Sequence, residues 1–321
     1  MDSPARILVV KPSSLGDIVH TLPALAALRR QWPESKIHWM VNPEWAPLLE
    51  NHPHLDGILL FPRNQFRGVA GPARFIPWAL SLRRAPFDLA LDFQGLFRSA
   101  LLAKLASKQS VLGLSDAREG GTLFYQKTAD TRPFCHSVDR YLALARLAGA
   151  QTPSDPEWIL PPGEPVPGLP ERFLLLHPFS RGKGKSMTQD QVEHLCAALS
   201  PTPVVIAGRS EARLNLPHNG LNLLNQTSIP QLIGLIRSAT AVVSVDSGPM
   251  HIAAALHPRL LALHTWSDPQ KVGPYPPTAW VLKDGLLFQR GTPHLIRTLP
   301  PDHLAEFIGN ELLGEVTPSP K

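Results

Sequence analysis

Residues 6–17 read Arg6-Ile-Leu-Val-Val-Lys-Pro-Ser-Ser-Leu-Gly-Asp17. Four consecutive apolar residues, Ile7 to Val10, without polar alternation predict a strand buried on both faces. Beyond the Lys11 to Asp17 turn, Ile18, Leu22, Leu25 and Leu28 recur at helical spacing. This strand-turn-helix unit opens a parallel α/β sheet. The alternation continues with strand-like runs at Ile37 to Val41, Gly57 to Phe61 and Phe87 to Asp92. Helical patterns lie around Ala70 to Leu82, Phe97 to Ala106 and Ser137 to Leu147. Such alternation implies a parallel sheet covered on both faces.

Between Gln151 and Glu171 seven prolines fall together and the periodicity is lost, as expected of a linker. It resumes at Phe173 to His177, Val192 to Leu199, Val204 to Ala207, Ile229 to Ala239, Ala241 to Val245, Met250 to Leu256 and Leu260 to His264, giving a second α/β domain. We therefore expect an N-terminal domain over 1–155, a linker over 156–171, a C-terminal domain over 172–300 and a last helix over 301–314. The polar tail ending in Pro-Ser-Pro-Lys is expected to lack order.

The length of 321 residues suits two domains, and 43% apolar with 18% charged residues is ordinary globular chemistry. The only cysteines, Cys135 and Cys196, have no Cys-x-x-Cys or His-rich partner motif, so neither a disulfide framework nor a zinc site is expected. Both are read as buried thiols of a reducing compartment. The N-terminal apolar run is too short for a signal or a membrane span, which points to the cytoplasm. A net charge of +5 favours an anionic partner: nucleic acid, a phosphorylated small molecule or a membrane face.

Ligands of open parallel sheets bind at the carboxyl ends of the strands, so the turns after Val10 and Val245 come first. The first is not Gly-x-Gly-x-x-Gly, and no P-loop motif occurs in the chain. Asp17 either caps the following helix or faces a cleft as a base. Lys11 and His20 either face solvent or donate local hydrogen bonds. The turn Asp246-Ser247-Gly248-Pro249-Met-His251 opens a helix whose free N–H groups and positive dipole end suit a diphosphate, unless it is an ordinary capped turn.

Ser180 to Met187 gathers Arg181, Lys183 and Lys185 with two glycines, a composition suited to phosphate, the alternative being a solvated basic loop. Glu211 either accepts hydrogen bonds from a ribose or is a surface glutamate at a helix start. The stretch with Arg63, Phe66, Arg67, Arg74, Phe75, Trp78, Arg83 and Arg84 is either a site for anionic groups or an amphipathic helix with a solvated basic face. No Asp-x-Asp occurs to bind a bridging divalent cation, and His251, His257 and His264 form no recognisable ligand set.

Taken in order, Lys11-Pro-Ser-Ser-Leu-Gly-Asp-Ile-Val-His-Thr-Leu-Pro23, Asp92-Phe-Gln-Gly-Leu-Phe-Arg-Ser-Ala100 and Ser244-Val-Asp-Ser-Gly-Pro-Met-His-Ile-Ala-Ala-Ala255 resemble glycosyltransferase family 9, the lipopolysaccharide heptosyltransferases. Ala117-Arg-Glu119 with Leu123-Phe-Tyr125, and Ser267-Asp-Pro269, extend the likeness over nearly the whole chain. The resemblance implies a GT-B fold, two Rossmann-like doubly wound domains facing a central cleft, with the last helix crossing back to the first domain. It implies inverting transfer of a sugar, heptose from ADP-heptose, to a lipid-linked lipopolysaccharide core acceptor, with no metal or other cofactor.

By the same resemblance Asp17 is the catalytic base and Lys185 the cation on the leaving diphosphate. Arg181, Glu211, Asp246, Ser247, Gly248 and His251 bind the donor, while Ser14, Gly16, Arg63, Arg67, Gln94 and Arg98 contact the acceptor. The partners implied are the nucleotide sugar, a phosphorylated lipid-linked acceptor and the cytoplasmic face of the inner membrane, with no nucleic acid. The chain departs from the family pattern where Ser186-Met187-Thr188 follows Lys185, so that Lys183 competes for the same role, and where Pro249 removes one backbone N–H. The scaffold also supports nucleotide-sugar epimerases and, without turnover, nucleotide-sugar sensors.

Overall fold

The computed structural model describes residues 3–84, 86–292 and 296–314, so the polar tail lies outside the described residues. It divides into two compact units, Met1–Pro161 and Pro162–Lys321.

The first unit holds six parallel strands: β1 (Arg6–Val10), β2 (Lys36–Val41), β3 (Gly57–Leu60), β4 (Phe87–Asp92), β5 (Ser107–Leu114) and β6 (Lys127–Ala129). They run in the order β3-β2-β1-β4-β5-β6, the doubly wound order whose direction reverses between β1 and β4. Ile7 to Val10 are fully buried, as an unbroken apolar run in a central strand must be. Helices α1 (Leu15–Gln31), α2 (Gly71–Ser81), α3 (Phe97–Ala106) and α4 (Ser137–Ala148) cover the sheet. Leu8, Val10, Met40, Ala90, Leu102 and Val111 share one side of its core.

Asp56, just before β3, fastens two elements of this unit, α1 and β2. Its carboxylate accepts from the Ile37 N–H at 2.9 Å, from Lys36 Nζ at 3.0 Å and from Arg29 at the end of α1. Burial alone would raise its pKa, but these donors outweigh it and hold the group at about 2.

The second unit has eight strands: β7 (Leu174–His177), β8 (Val204–Gly208), β9 (Gly220–Leu224), β10 (Ala241–Val245), β11 (Leu260–His264), β12 (Trp280–Lys283), β13 (Leu286–Gln289) and β14 (Arg297–Thr298). Read from β9, the order β9-β8-β7-β10-β11-β12 repeats that of the first unit, and β13 and β14 extend it as antiparallel strands. The reversal here falls between β7 and β10. Helices α5 (Gln189–Ala198), α6 (Ile229–Ser238), α7 (Gly248–Leu256) and the short α8 (Pro269–Val272) follow β7, β9, β10 and β11, and β8 is the exception. From there the chain returns to β9 through residues 209–219 without a helix, and Ala212, Leu214 and Leu216 pack on the core instead.

The C-terminal helical segment, α9 (Leu304–Phe307) continued as a wider turn over Ile308–Leu313, places Phe307, Ile308, Leu312 and Leu313 in the core of this second unit with Leu174 and Val192. One sequence expectation is corrected here. Cys196 is buried, but Cys135 is exposed, because it lies in the loop just before α4 and not on an inward face.

Candidate active site

In each unit the loop after the first strand and the loop after the fourth meet at the reversal of strand order, where no crossover covers the strand ends. The sequence-derived candidates gather at those two places.

In the first unit, α1 begins at Leu15 with Ser14 as its N-cap, so Asp17 is the third helical residue and not the cap itself. The Ser14 N–H and hydroxyl donate to Asp17 Oδ2 at 3.0 and 2.8 Å, and Tyr141 of α4 donates to Oδ1 at 3.3 Å. Beneath lies Lys11, its ammonium donating to the Phe93 carbonyl and to the Tyr141 hydroxyl, both at 2.9 Å, and 3.9 Å from Asp17 Oδ1. Burial disfavours the Lys11 charge, yet Tyr141 and Asp17 more than compensate, and its pKa stands above the ordinary lysine value. The lysine side chain is 3% exposed and the aspartate 38%, so the carboxylate is the member open to a substrate. Gly16 is buried in the first turn of α1, and so are Lys11 and His20, against the solvent-facing alternative for both.

The loop after β4 is organised by Asp92. Its buried carboxylate accepts from the Gln94 and Gly95 N–H groups, from Ser99 Oγ at 2.8 Å and from Tyr125 at 2.7 Å. Burial raises the Asp92 pKa against those donors, and burial beside Asp92 raises that of Tyr125. Tyr125 reaches Asp92 across Gly113 of β5, where an added Cβ would lie 2.2 Å from its ring. Only glycine leaves that path open.

Arg63, Arg67 and Arg98 line one pocket of about 330 Å³, whose apolar wall includes Phe61, Phe66, Phe75 and Ile76. A smaller pocket adjoins it, lined by Arg63 and Arg98 again together with Gln94, Pro12 and Ser13 of the β1–α1 loop. Four of the predicted acceptor contacts, Arg63, Arg67, Gln94 and Arg98, thus border pockets that reach Pro12 and Ser13 of the loop leading into α1.

In the second unit, Asp246 directly follows β10 and Ser247 precedes α7, with Gly248 and Pro249 in its first turn and His251 buried one turn on. Lys185 pairs with Asp246 Oδ2, and its ammonium lies 4.5 Å from the centre of the Trp266 ring. Burial raises the Asp246 carboxyl, but hydrogen bonds from Lys185 and Ser267 prevail and hold it below the usual carboxylate range. Ser267 in turn bonds His264 Nδ1 at 3.1 Å, and Lys283 donates to its carbonyl at 2.9 Å.

His264 and His177 are both held near pKa 4 by burial and are neutral at pH 7. Gly208 leaves room for His177, since a Cβ there would stand 2.8 Å from the ring. The two lysines differ in setting: Lys185 pairs with Asp246, whereas Lys183 is exposed and contributes its carbonyl to Trp266 Nε1 at 3.2 Å. Arg181 is exposed in the same loop. Glu211 is exposed in the irregular 209–219 segment, with no hydrogen bond to a described residue.

Tyr141, Tyr125, Trp266 and Lys283 surround the candidate residues, and sequence reasoning gave them no role. Among the described residues no group of three or more His, Cys, Asp or Glu is placed to hold a metal ion, and no helix is long and apolar enough to cross a membrane.

The family model described as glycosyltransferase family 9 (heptosyltransferase) matches residues 78–161 and 191–286, more than half of the chain. The chain belongs to glycosyltransferase family 9. The matched segments of this family 9 glycosyltransferase carry Asp92 to Arg98, Glu211 and Asp246 to His251.

Among curated relatives, it is 24% identical over 85% of its length to the lipopolysaccharide core heptosyltransferase OpsX of Haemophilus influenzae, covering 83% of that protein. It is 28% identical over 84% of its length to lipopolysaccharide heptosyltransferase 1 of Pseudomonas aeruginosa, covering 81% of it. Among solved structures, the E. coli heptosyltransferase WaaC with ADP superposes with a TM-score of 0.74 at 23% identity, over 95% of this chain and 99% of that one. The family 9 fold, two Rossmann-like α/β domains of GT-B type, is therefore shared.

Proposed function

We propose that this glycosyltransferase moves heptose from ADP-heptose to a lipopolysaccharide core acceptor with inversion at the anomeric carbon. The observation that carries the reading is the pair of built switch-point sites in a family 9 chain. One presents a half-exposed carboxylate braced by Ser14 and Tyr141; the other presents a cation braced by Asp246 and Trp266. The names of the relatives, heptosyltransferases of the lipopolysaccharide core, supply the sugar and the acceptor class.

In the reaction, Asp17 takes the proton from the acceptor hydroxyl as that oxygen bonds to the anomeric carbon. The bond from that carbon to the diphosphate breaks on the opposite face, and ADP leaves. Lys185, assisted by Arg181, takes up the charge that grows on the leaving diphosphate; a preorganised cation at that point acts on the transition state more than on the ground state. Ser247, Gly248 and His251 hold phosphate and sugar at the opening of α7, Asp246 the sugar hydroxyls, and Glu211 the nucleoside. Ser14, Gly16, Gln94 and the arginine rim hold the acceptor. No metal enters this scheme, since protein cations neutralise the leaving group. The enzyme would work at the cytoplasmic face of the inner membrane, where a lipid-linked acceptor resides.

The test is mass spectrometry of the products formed from a heptose-free core acceptor with ADP-heptose, and with UDP- and GDP-sugars at equal concentration. The expected result is an acceptor heavier by one heptose together with free ADP, from ADP-heptose alone. Asp17→Asn should lower that turnover by about 10²–10⁴-fold while leaving donor affinity in place. Isomerised nucleotide sugar appearing without acceptor would replace the transferase by an epimerase. Undiminished turnover in Asp17→Asn would remove the base assignment.

A further inference from the structure

The aromatic pocket of the first unit offers more than a sugar acceptor needs. Phe61, Phe66 and Phe75 form its apolar wall and pack with Trp78 in one aromatic cluster, with ring centroids 5.3–6.2 Å apart. Helix α2, which supplies much of that wall, buries only Gly71 and Ala79 and leaves Ile76 and Leu80 about half exposed. At the mouth, the guanidinium groups of Arg63, Arg67 and Arg98 make no ion pair or hydrogen bond with a described residue, although all three line the same pocket.

Apolar walls with unneutralised cations at the rim complement an anionic amphiphile: a hydrocarbon chain below and a phosphate above. A sugar would set its C–H face against one ring and leave the rest of the wall without a partner, and a free phosphate would leave the cavity unused. Its volume of about 330 Å³ lies within the ordinary range of small-molecule sites.

We infer that this pocket takes one acyl chain of the lipid-linked acceptor, with a phosphate of the same molecule on Arg63, Arg67 and Arg98. The inference rests on the transferase reading above. The sharing of Phe61, Arg63 and Arg98 with the pocket that opens on Ser13 points the anionic end of the bound molecule toward the Asp17 loop. The lipid then acts as a handle that places the acceptor hydroxyl, and the enzyme discriminates for acylated acceptors through α2.

The first arm of the test needs no turnover. Monododecyl phosphate, kept below its micellar concentration, is titrated into the full chain by calorimetry beside inorganic phosphate and dodecyl maltoside. The expected result is saturable one-to-one binding at least tenfold tighter than either control. In a chain-length series, affinity should rise by about fourfold per methylene until the pocket is filled. Ile76→Glu, on an exposed wall position, and Arg67→Gln should each weaken it at least fivefold.

The second arm compares KM for acylated acceptor and for the same acceptor stripped of its acyl chains. Stripping should raise KM about tenfold or more in the native chain, and Ile76→Glu should raise KM for the acylated acceptor toward the stripped value. Dodecyl phosphate binding no tighter than phosphate, or unaffected by Ile76→Glu, overturns the pocket. Tight binding with no KM difference overturns the acceptor assignment and makes the pocket a site for bulk membrane lipid. Amphiphile binding that obeys both substitutions in a protein with no transferase activity on any acceptor would instead overturn the proposed function.

Discussion

In the proposed reaction two lysine–aspartate pairs carry the chemistry, and each behaves according to which member is buried. Lys185 and Asp246 have side-chain exposures of 17% and 5%, so removing the lysine strands a carboxylate in a desolvated place. Lys185→Met should cost about 3–5 kcal/mol of stability at pH 7 and about 10²–10³-fold in turnover. The pH dependence has a defined sign. In the native chain the Asp246 pKa is depressed, so its contribution is present above the ordinary carboxylate value and is lost as pH falls below it. Without Lys185 burial prevails and the pKa rises, so the stability deficit of the variant should shrink as pH is lowered toward 5; chemical denaturation at several pH values checks this. The placement of Asp17 and Asp246 at the two switch points was legible in the sequence because each lies between a buried apolar run and the helix that follows it or just inside that helix. Tyr141 was not, since it lies 124 residues from the carboxylate it serves, and neither spacing nor composition records a contact made only by tertiary packing.

At the scale of elements, β1 with α1 and β10 with α7 declared themselves through unbroken apolar runs and turn residues, and the ends of α3, β10 and β11 fall at the expected residues. What escaped has physical causes. β5 begins with Ser107-Lys-Gln-Ser and β6 is three residues long, so neither has an apolar run to read. β12 to β14 form a short antiparallel edge, half solvated, in sequence that resembles loop. Asp56 gives an element-scale prediction. Its carboxylate joins the end of α1 to the start of β2, and its donors hold its pKa near 2, so its stabilisation is present above about pH 4 and lost as pH falls toward 2. Partial exposure of the network limits Asp56→Asn to about 1 kcal/mol, or about 2–4 °C in the melting of a unit of this size. Native and variant melting curves should differ at pH 7 and converge near pH 2.

For the whole molecule, the same strand order occurs twice without a visible sequence repeat, because topology is set by where buried strands and helices alternate and not by which apolar residues fill them. ADP should raise the melting temperature of the full chain, by the equivalent of about 2.7 kcal/mol at a hundredfold excess over Kd. Calorimetry of Lys185→Met checks the assignment, since an undiminished shift there would take the lysine off the diphosphate. The two switch points also mirror each other in polarity: Lys11 lies under an accessible Asp17, whereas Asp246 lies under a more accessible Lys185. Each centre is therefore a neutral couple turned inside out relative to the other, and neither contributes to the net charge of +5. Ionic strength then acts mainly on the exposed arginines, the acceptor rim and Arg181 of the donor loop, because dissolved salt screens accessible charges beyond about 8 Å and reaches the buried members Lys11 and Asp246 far less. Raising sodium chloride should weaken capture of the anionic acceptor and of the anionic donor, seen as a rising KM for each, and change kcat less: the proposed reacting groups keep their own buried counter-ions in the medium that governs encounter.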